Sequence, residues 1–173
     1  MQQYPQVSAN FSSPAALDWL DAISESNVIL SIILTVIHPM LYDAGWQTAK
    51  HQRDTSAIDP HDVLNQWASI FNGVAIISNY STLVHQDGSL RCHWNDMLVT
   101  LKSYWNYNLD LLGLEISLEY GPDMVVGILG NVLEHVVPHF EGDRVCYAYF
   151  MRNNVHELAN IPVSDWMYTK YYE

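Results

Sequence analysis

The chain has 173 residues and is 49% hydrophobic, enough for one domain with a core of its own. Seven basic against nineteen acidic residues give a net charge of −12, which argues against a broad cationic surface for phosphate backbones and hence against a simple nucleic-acid-binding module. Two cysteines, Cys92 and Cys146, exclude a disulfide framework and suit a reduced, intracellular setting, nuclear or cytoplasmic. No basic segment opens the chain, and its longest apolar run, Val28 to Ile37, is too short to span a bilayer, so no membrane partner is expected.

Residues 1–13, polar with a proline, are expected to form a flexible N-terminal arm ahead of one domain over 14–173. Ser13-Pro14 starts a helix, with serine as cap and proline in the first turn, and Leu17, Trp19, Leu20 and Ile23 are available for burial. Ser26 or Asn27 caps a second helix through Ile37; apolar nearly all round, it is expected to be buried. Met40 to His51 continues as helix, and its histidines, with no carboxylate at ligand spacing, read as structural. Arg53 to Pro60 is expected as a flexible loop and a candidate lid, and Asp59-Pro60 as the start of a helix reaching about Ile70. That closes a helical part over 14–72.

At Gly73 the periodicity changes. Gly73 to Asn79, Trp94 to Leu101, Leu114 to Tyr120, Met124 to Leu129, Val132 to Val137 and Arg144 to Met151 are rich in β-branched and aromatic residues and are separated by Gly, Pro or Asn. These strands predict an α+β fold: a double-stranded β-helix (jelly roll) core over 73–152, with the N-terminal helices packed against it. Short helices at Asn153–Glu157 and Ser164–Met167 are expected to close the chain over 153–173.

Within the β part, His85 and Asp87 are two apart, so extended backbone points both side chains the same way. His135 follows inside the last buried strand before Arg144. Two imidazoles and one carboxylate on three adjacent corners of an octahedron suit Fe(II) and leave the remaining positions open for a chelating co-substrate and O2. Beyond the turn-like Glu141-Gly142-Asp143, a returning strand would carry the Arg144 guanidinium near the metal, where it could hold a carboxylate bidentately. A co-substrate anionic at one end and metal-chelating at the other is implied. The rival pair His139-Phe140-Glu141 has only His156 after it and no arginine at the matching distance.

The run His85-Gln86-Asp87-Gly88, then Trp94-Asn95-Asp96-Met97-Leu98-Val99-Thr100, then Val125-Val126-Gly127 and Gly130 ahead of His135, then Gly142 to Arg152, resembles the Fe(II)/2-oxoglutarate oxygenases, and within them the TET/JBP group, which oxidises methylated bases in DNA. The resemblance covers about the last hundred residues. It implies that His85, Asp87 and His135 hold Fe(II) and form the catalytic centre, and that Arg144 takes the distal carboxylate of 2-oxoglutarate. Asn79, Cys146 and Tyr149 are implied around that co-substrate, and Tyr80, His93, Trp94 and Trp105, with Tyr107, as contacts for a flipped or single-stranded base. Relatives often carry arginine inside the His-x-Asp pair, another basic residue just after the position of Asn79 and a hydroxyl residue two after the arginine; here Gln86, Tyr80 and Cys146 stand there, with Tyr149 or Tyr104 as candidates to supply the hydroxyl.

The expected function is therefore an Fe(II)- and 2-oxoglutarate-dependent dioxygenase that consumes O2 and oxidises the methyl group of a modified DNA base of the 5-methylcytosine type. Two alternatives stand beside it. The acidic charge favours a protein or small-molecule substrate for the same chemistry, and a jelly-roll binding protein without metal chemistry is the reading from a different class.

Overall fold

Ser13 accepts a hydrogen bond from the Ala16 amide through its hydroxyl and Pro14 takes the first helical position, which starts α1, Pro14–Ala22. In the computed structural model, which describes residues 7–55, 59, 61–88, 91–162 and 164–172, α2 (Ser24–Ile37) follows after the single residue Ile23. His38 ends α2 and begins α3 (Pro39–Thr55): its amide donates to the Leu34 carbonyl at 2.9 Å and its Nδ1 accepts from the Leu41 amide at 3.2 Å. That histidine is structural. With α4 (Val63–Gln66) and α5 (Asn153–Ala159) these helices form one compact unit, residues 1–72 with 153–173. Leu20, Leu30, Leu34, Leu41 and Val63 are buried in it, and Thr48 meets His156 at 3.1 Å.

The helical part differs from its sequence reading in four places. Only the Asn27, Leu30, Ser31 and Leu34 side of α2 is buried, whereas Val28, Ile29, Ile32 and Val36 are 46–66% exposed. One stripe meets the neighbouring helices and no described element covers the other. The expected loop begins later, since α3 runs on to Thr55; residues 56–58 and 60, where the candidate lid was placed, and 1–6 of the N-terminal arm lie outside the described residues. The helix expected up to Ile70 is a single turn, because beyond it side chains capture the backbone: Trp67 Nε1 donates to the Phe71 carbonyl and Ser69 Oγ accepts from the Phe71 amide. Ser164–Met167 is not helical; the last regular turn is a 3-10 helix at Thr169–Tyr171. Among the described residues no single helix is long and apolar enough to cross a membrane, and α1 with α2 passes that test only as a pair bent by 49°.

Residues 73–152 form the second unit, built of antiparallel strands. Four of them, β1 (Gly73–Ser78), β2 (Asp96–Leu101), β6 (Val125–Ile128) and β9 (Val145–Phe150), pair in the order β1-β9-β2-β6. A second sheet has β4 (Asn108–Leu111) between β5 (Ile116–Glu119) and β7 (His135–Val136). A short ribbon pairs β3 (Tyr104–Trp105) with β8 (Glu141–Gly142). Leu109 and Leu111 from one sheet and Ile128 from the other share a buried core with Tyr104, Tyr120, Val137 and Phe140. Two antiparallel sheets around one core are the jelly-roll arrangement.

Three strands were not expected. β4 escapes a period-2 reading because Asn108 and Asp110 alternate with only two leucines. β3 and β8 are two residues each, and β8 replaces the turn expected at Glu141-Gly142. Gly142 has a φ of +100°, and a Cβ there would meet the Ser103 carbonyl oxygen at 2.6 Å, so a glycine lets the two strands approach.

Asp59 gives a local stability test. Its two carboxylate oxygens accept from the Val63 and Leu64 amides at 2.8 and 2.7 Å, so Asp59→Ala should cost about 1 kcal/mol. Thermal unfolding should fall by roughly 2–4 °C; an unchanged melting temperature would show that the turn is held otherwise.

Candidate metal centre

The three candidate ligands meet because the segment carrying His85 adds to the edge of β7. His85 and His135 form an antiparallel bridge, each amide donating to the other's carbonyl at 3.1 and 3.0 Å. Further clamps lie on both sides: the Asp87 amide donates to the Gly130 carbonyl at 2.9 Å, Asn131 Nδ2 to the Asp87 carbonyl and Gln86 Nε2 to the Val132 carbonyl, both at 2.8 Å, and the Thr82 amide to the Val137 carbonyl at 3.0 Å. The two imidazoles lie 4.2 Å apart, centroid to centroid.

Both rings are oriented in the same way. Nδ1 of His85 is 2.8 Å from the Leu83 carbonyl, and Nδ1 of His135 is 2.8 Å from the Leu133 carbonyl. A carbonyl only accepts, so each Nδ1 carries the proton and each Nε2 presents a lone pair. Asp87 lies 4.0 Å from His85 Nε2 and 3.9 Å from His135 Nε2, and one ligand atom from each residue falls within 4.8 Å of the others. His135 is buried, with 7% of its side chain exposed, whereas His85 and Asp87 are 38% and 40% exposed, so the group opens on their side. Two neutral imidazole nitrogens and a carboxylate oxygen fit Fe(II) and leave positions for other ligands.

Two positions support Asp87. A Cβ on Gly130 would lie 2.3 Å from Asp87 Oδ2 and 2.9 Å from Asp96 Oδ2, so only glycine leaves room for the carboxylate. Asp96, 5% exposed at the start of β2, is the second carboxyl there; burial first, then the charge of Asp87, push it up to about 8.

Arg144 is 2% exposed and stands just before β9. Its guanidinium carbon lies 5.2 Å from the Tyr120 ring centre, 5.6 Å from Phe140 and 5.9 Å from Tyr104. Nη1 reaches the Tyr80 carbonyl at 3.4 Å and Nε makes no hydrogen bond. No carboxylate pairs with it among the described residues. A buried cation of this kind fits an anionic guest.

The other expected residues fall into three groups. Asn79 holds the Arg144 backbone: with φ at 51°, it accepts from the Arg144 amide at 2.7 Å through its side chain and donates to the Arg144 carbonyl at 2.8 Å through its own amide. Its side-chain amide and Lys102 hold the Asp143 carboxylate below its usual range. Cys146, two residues along from Arg144, is buried, whereas Tyr149, also buried, is on the opposite face of β9, and burial lifts its phenol to about 12. Tyr80 and Trp105 are 60% and 54% exposed, the latter donating to Glu141; Trp94 is buried, and half-buried His93 lies edge-on to it at 6.3 Å.

A basic surface patch of Arg91, Lys102, Arg144 and Arg152, compatible with the sequence, does not form in that way: Arg144 is inside, and Lys102 pairs with Asp143 at 3.1 Å. Sequence reasoning missed Asn131, Asp96 as a neighbour of the candidate ligands, and the aromatic walls Tyr120 and Phe140; Tyr104, expected as a hydroxyl source, forms the third wall and donates to the Tyr120 carbonyl. Only the glycine at 130 left a mark in the sequence pattern.

Residues 7–153 match the family model Tet_JBP, described as the oxygenase domain of the 2OGFeDO superfamily. Among solved structures, NgTET1 in complex with 5mC DNA is similar with a TM-score of 0.64 at 18% identity, over 98% of this chain and 62% of that one. This chain thus corresponds to less than two thirds of the length of that protein's chain. No curated protein matches the sequence.

Gly130→Ala should weaken Fe(II) binding at least tenfold while the protein still folds, since the new methyl displaces the Asp87 carboxylate. Unchanged affinity in a metal titration would show that Asp87 is not a ligand. Asp96 gives a pH signature in the metal-free protein. Its folded pKa of about 8 lies above the ordinary 3.8, so the fold binds the proton more tightly and loses stability as pH rises between those values. Asp96→Asn should therefore gain on the wild type from pH 4 to 8, by up to about 1.4 kcal/mol per pH unit. Parallel curves would place Asp96 in contact with water.

Proposed function

The chain belongs to the Tet_JBP family, the oxygenase domain of the 2OGFeDO superfamily, and from that premise we propose that this Fe(II)- and 2-oxoglutarate-dependent dioxygenase oxidises the methyl group of a modified base in DNA, of the 5-methylcytosine kind. The observation that carries the reading is the bridged His85/His135 pair with Asp87, each Nε2 presented to one point, together with a buried arginine of the same unit that pairs with no carboxylate among the described residues.

His85, Asp87 and His135 would hold Fe(II), and Arg144 the distal carboxylate of 2-oxoglutarate. With O2, the loaded site supplies the oxidant that takes hydrogen from a C–H bond and returns a hydroxyl, 2-oxoglutarate leaving as succinate and CO2. The chain's own residues do the positioning. The Leu83 and Leu133 carbonyls fix the imidazole tautomers, the Gly130 and Asn131 clamps fix Asp87, and Asn79 fixes the backbone from which Arg144 projects. Burial of Arg144 keeps water from competing for the co-substrate's charge.

DNA as substrate is supported by the family and by the fold shared with NgTET1, whose structure contains 5mC DNA. The base must leave the stack to bring its methyl to the metal, and exposed Tyr80 and Trp105 are faces on which it can stack. Half-buried His93 and buried Trp94, edge-on to each other at 6.3 Å, are the other candidates for contact with the base. Cys146 completes the surroundings proposed for the co-substrate, and Tyr149, on the opposite face of β9, is turned away from them. Both cysteines are free, in keeping with an intracellular, nuclear or cytoplasmic setting.

The test is an oligonucleotide panel. DNA carrying 5-methylcytosine, thymine or N6-methyladenine is incubated with protein, Fe(II) and 2-oxoglutarate, and the nucleosides are read by mass spectrometry. Oxidation of one base, faster in single-stranded or mismatched DNA, is expected. Consumption of 2-oxoglutarate with no base oxidised would move the substrate to a protein or small molecule, the reading favoured by the net charge of −12. No consumption at all would leave a binding protein without metal chemistry.

A further inference from the structure

Arg144 lies in a box of three aromatic side chains with a single carbonyl partner, 3.4 Å away. A carboxylate has two oxygens and about four acceptor sites, more than one guanidinium edge fills, so a second donor is expected beside the arginine. The walls offer few. Phe140 has no polar atom, and the Tyr104 hydroxyl is committed to the Tyr120 carbonyl at 2.5 Å. The hydroxyl of Thr100, wholly buried and paired in register with Cys146, donates to the Gly121 carbonyl at 2.6 Å. Tyr149 is on the far face of β9.

Tyr120 is the exception. It is 1% exposed, its ring is the nearest to the guanidinium at 5.2 Å, and its hydroxyl meets Cys146 Sγ at 3.4 Å and the Arg144 side chain itself. A thiol is a weak donor and a weak acceptor, so whichever of the two atoms donates in that contact, the hydroxyl can turn its hydrogen to a carboxylate at little cost. Its carbonyl is fixed by Tyr104 and its amide donates to the Tyr107 carbonyl at 3.1 Å, so the backbone on which the phenol stands is anchored. Burial also drives the phenol's titration upward, against the pull of Arg144, so it remains a donor at neutral pH.

We propose that the Tyr120 hydroxyl is the second donor to the distal carboxylate of the keto-acid co-substrate, acting beside Arg144 in place of the thiol of Cys146. The proposal rests on the chain using 2-oxoglutarate. It assigns the Tyr120 side chain a binding role separate from the metal ligands, so affinity for the co-substrate and affinity for iron should respond differently to its loss.

The test uses the full chain, wild type and Tyr120→Phe, loaded with Fe(II) under nitrogen. Adding 2-oxoglutarate should produce the weak visible band of an Fe(II)-bound keto acid, and its growth gives the dissociation constant. Tyr120→Phe removes one oxygen and keeps the ring over the guanidinium. We expect roughly a tenfold or greater rise in the 2-oxoglutarate dissociation constant, with Fe(II) affinity within about twofold of wild type. In turnover, KM for 2-oxoglutarate should rise while kcat stays within about threefold. An unchanged 2-oxoglutarate affinity overturns the proposal, as does a parallel fall in iron and co-substrate affinity, the mark of a packing defect. A wild type that binds iron but gives no band defeats the oxygenase reading itself, and is seen before any variant is compared.

Discussion

The two-bond bridge between His85 and His135 is the constraint on which the site depends. Each residue donates and accepts one backbone hydrogen bond, so neither can shift along the chain without breaking both. Register then settles the rest of the geometry. Residues two before each histidine present carbonyls to the two Nδ1 atoms, and the residue two after His85 is the carboxylate. A slip of one residue would turn the imidazoles to the opposite face. Nothing in this arrangement needs a long strand, for β7 has only two residues, because hydrogen bonds on both sides of the bridge lengthen the ladder that β7 by itself would not sustain.

Arg144 is the costly part of the fold. A buried cation loses several kcal/mol of hydration, and three aromatic faces at 5.2–5.9 Å recover only part of that. Among the described residues the chain accepts the cost at one position only, and it anchors the backbone there through Asn79, whose left-handed φ of 51° closes β1 onto β9. The candidate metal ligands and the arginine are therefore held by different devices. One is an edge bridge onto the three-stranded sheet, the other a side-chain clamp on the four-stranded sheet, which lets iron and co-substrate affinity vary separately.

The candidate ligands could be picked out in the sequence because their chemistry is local: a His-x-Asp pair, a histidine in an apolar segment and an arginine on a returning strand are legible one by one. Where the fold followed a strong period, as in β1, β2, β6 and β9, the strands lay within a few residues of their expected ends. The losses have a common cause. β4, central in its sheet, is made of Asn108, Leu109, Asp110 and Leu111, and it becomes a strand only through its partners β5 and β7. Gly130, Asp96 and Tyr120 take their meaning from residues far away in the chain, so no window of sequence around them shows what they do. The exposed side of α2 is a different case, since an apolar period records which residues can be buried and not whether an element arrives to cover them.

Charge bears most directly on how the proposed substrate would be recognised. A protein with twelve excess negative charges draws little affinity from phosphates, and the structure removes Arg144 and Lys102 from the few cations that could help, one by burial and one by pairing with Asp143. The remaining contributions are short-range. Stacking of one base on an aromatic face supplies roughly 1–3 kcal/mol, and it falls off little with salt. A duplex asks for unpairing and unstacking as well, at a cost of a few kcal/mol that phosphate contacts would normally offset. Where those contacts are few, the cost falls on the base itself, so the enzyme's preference should run toward bases already out of the stack.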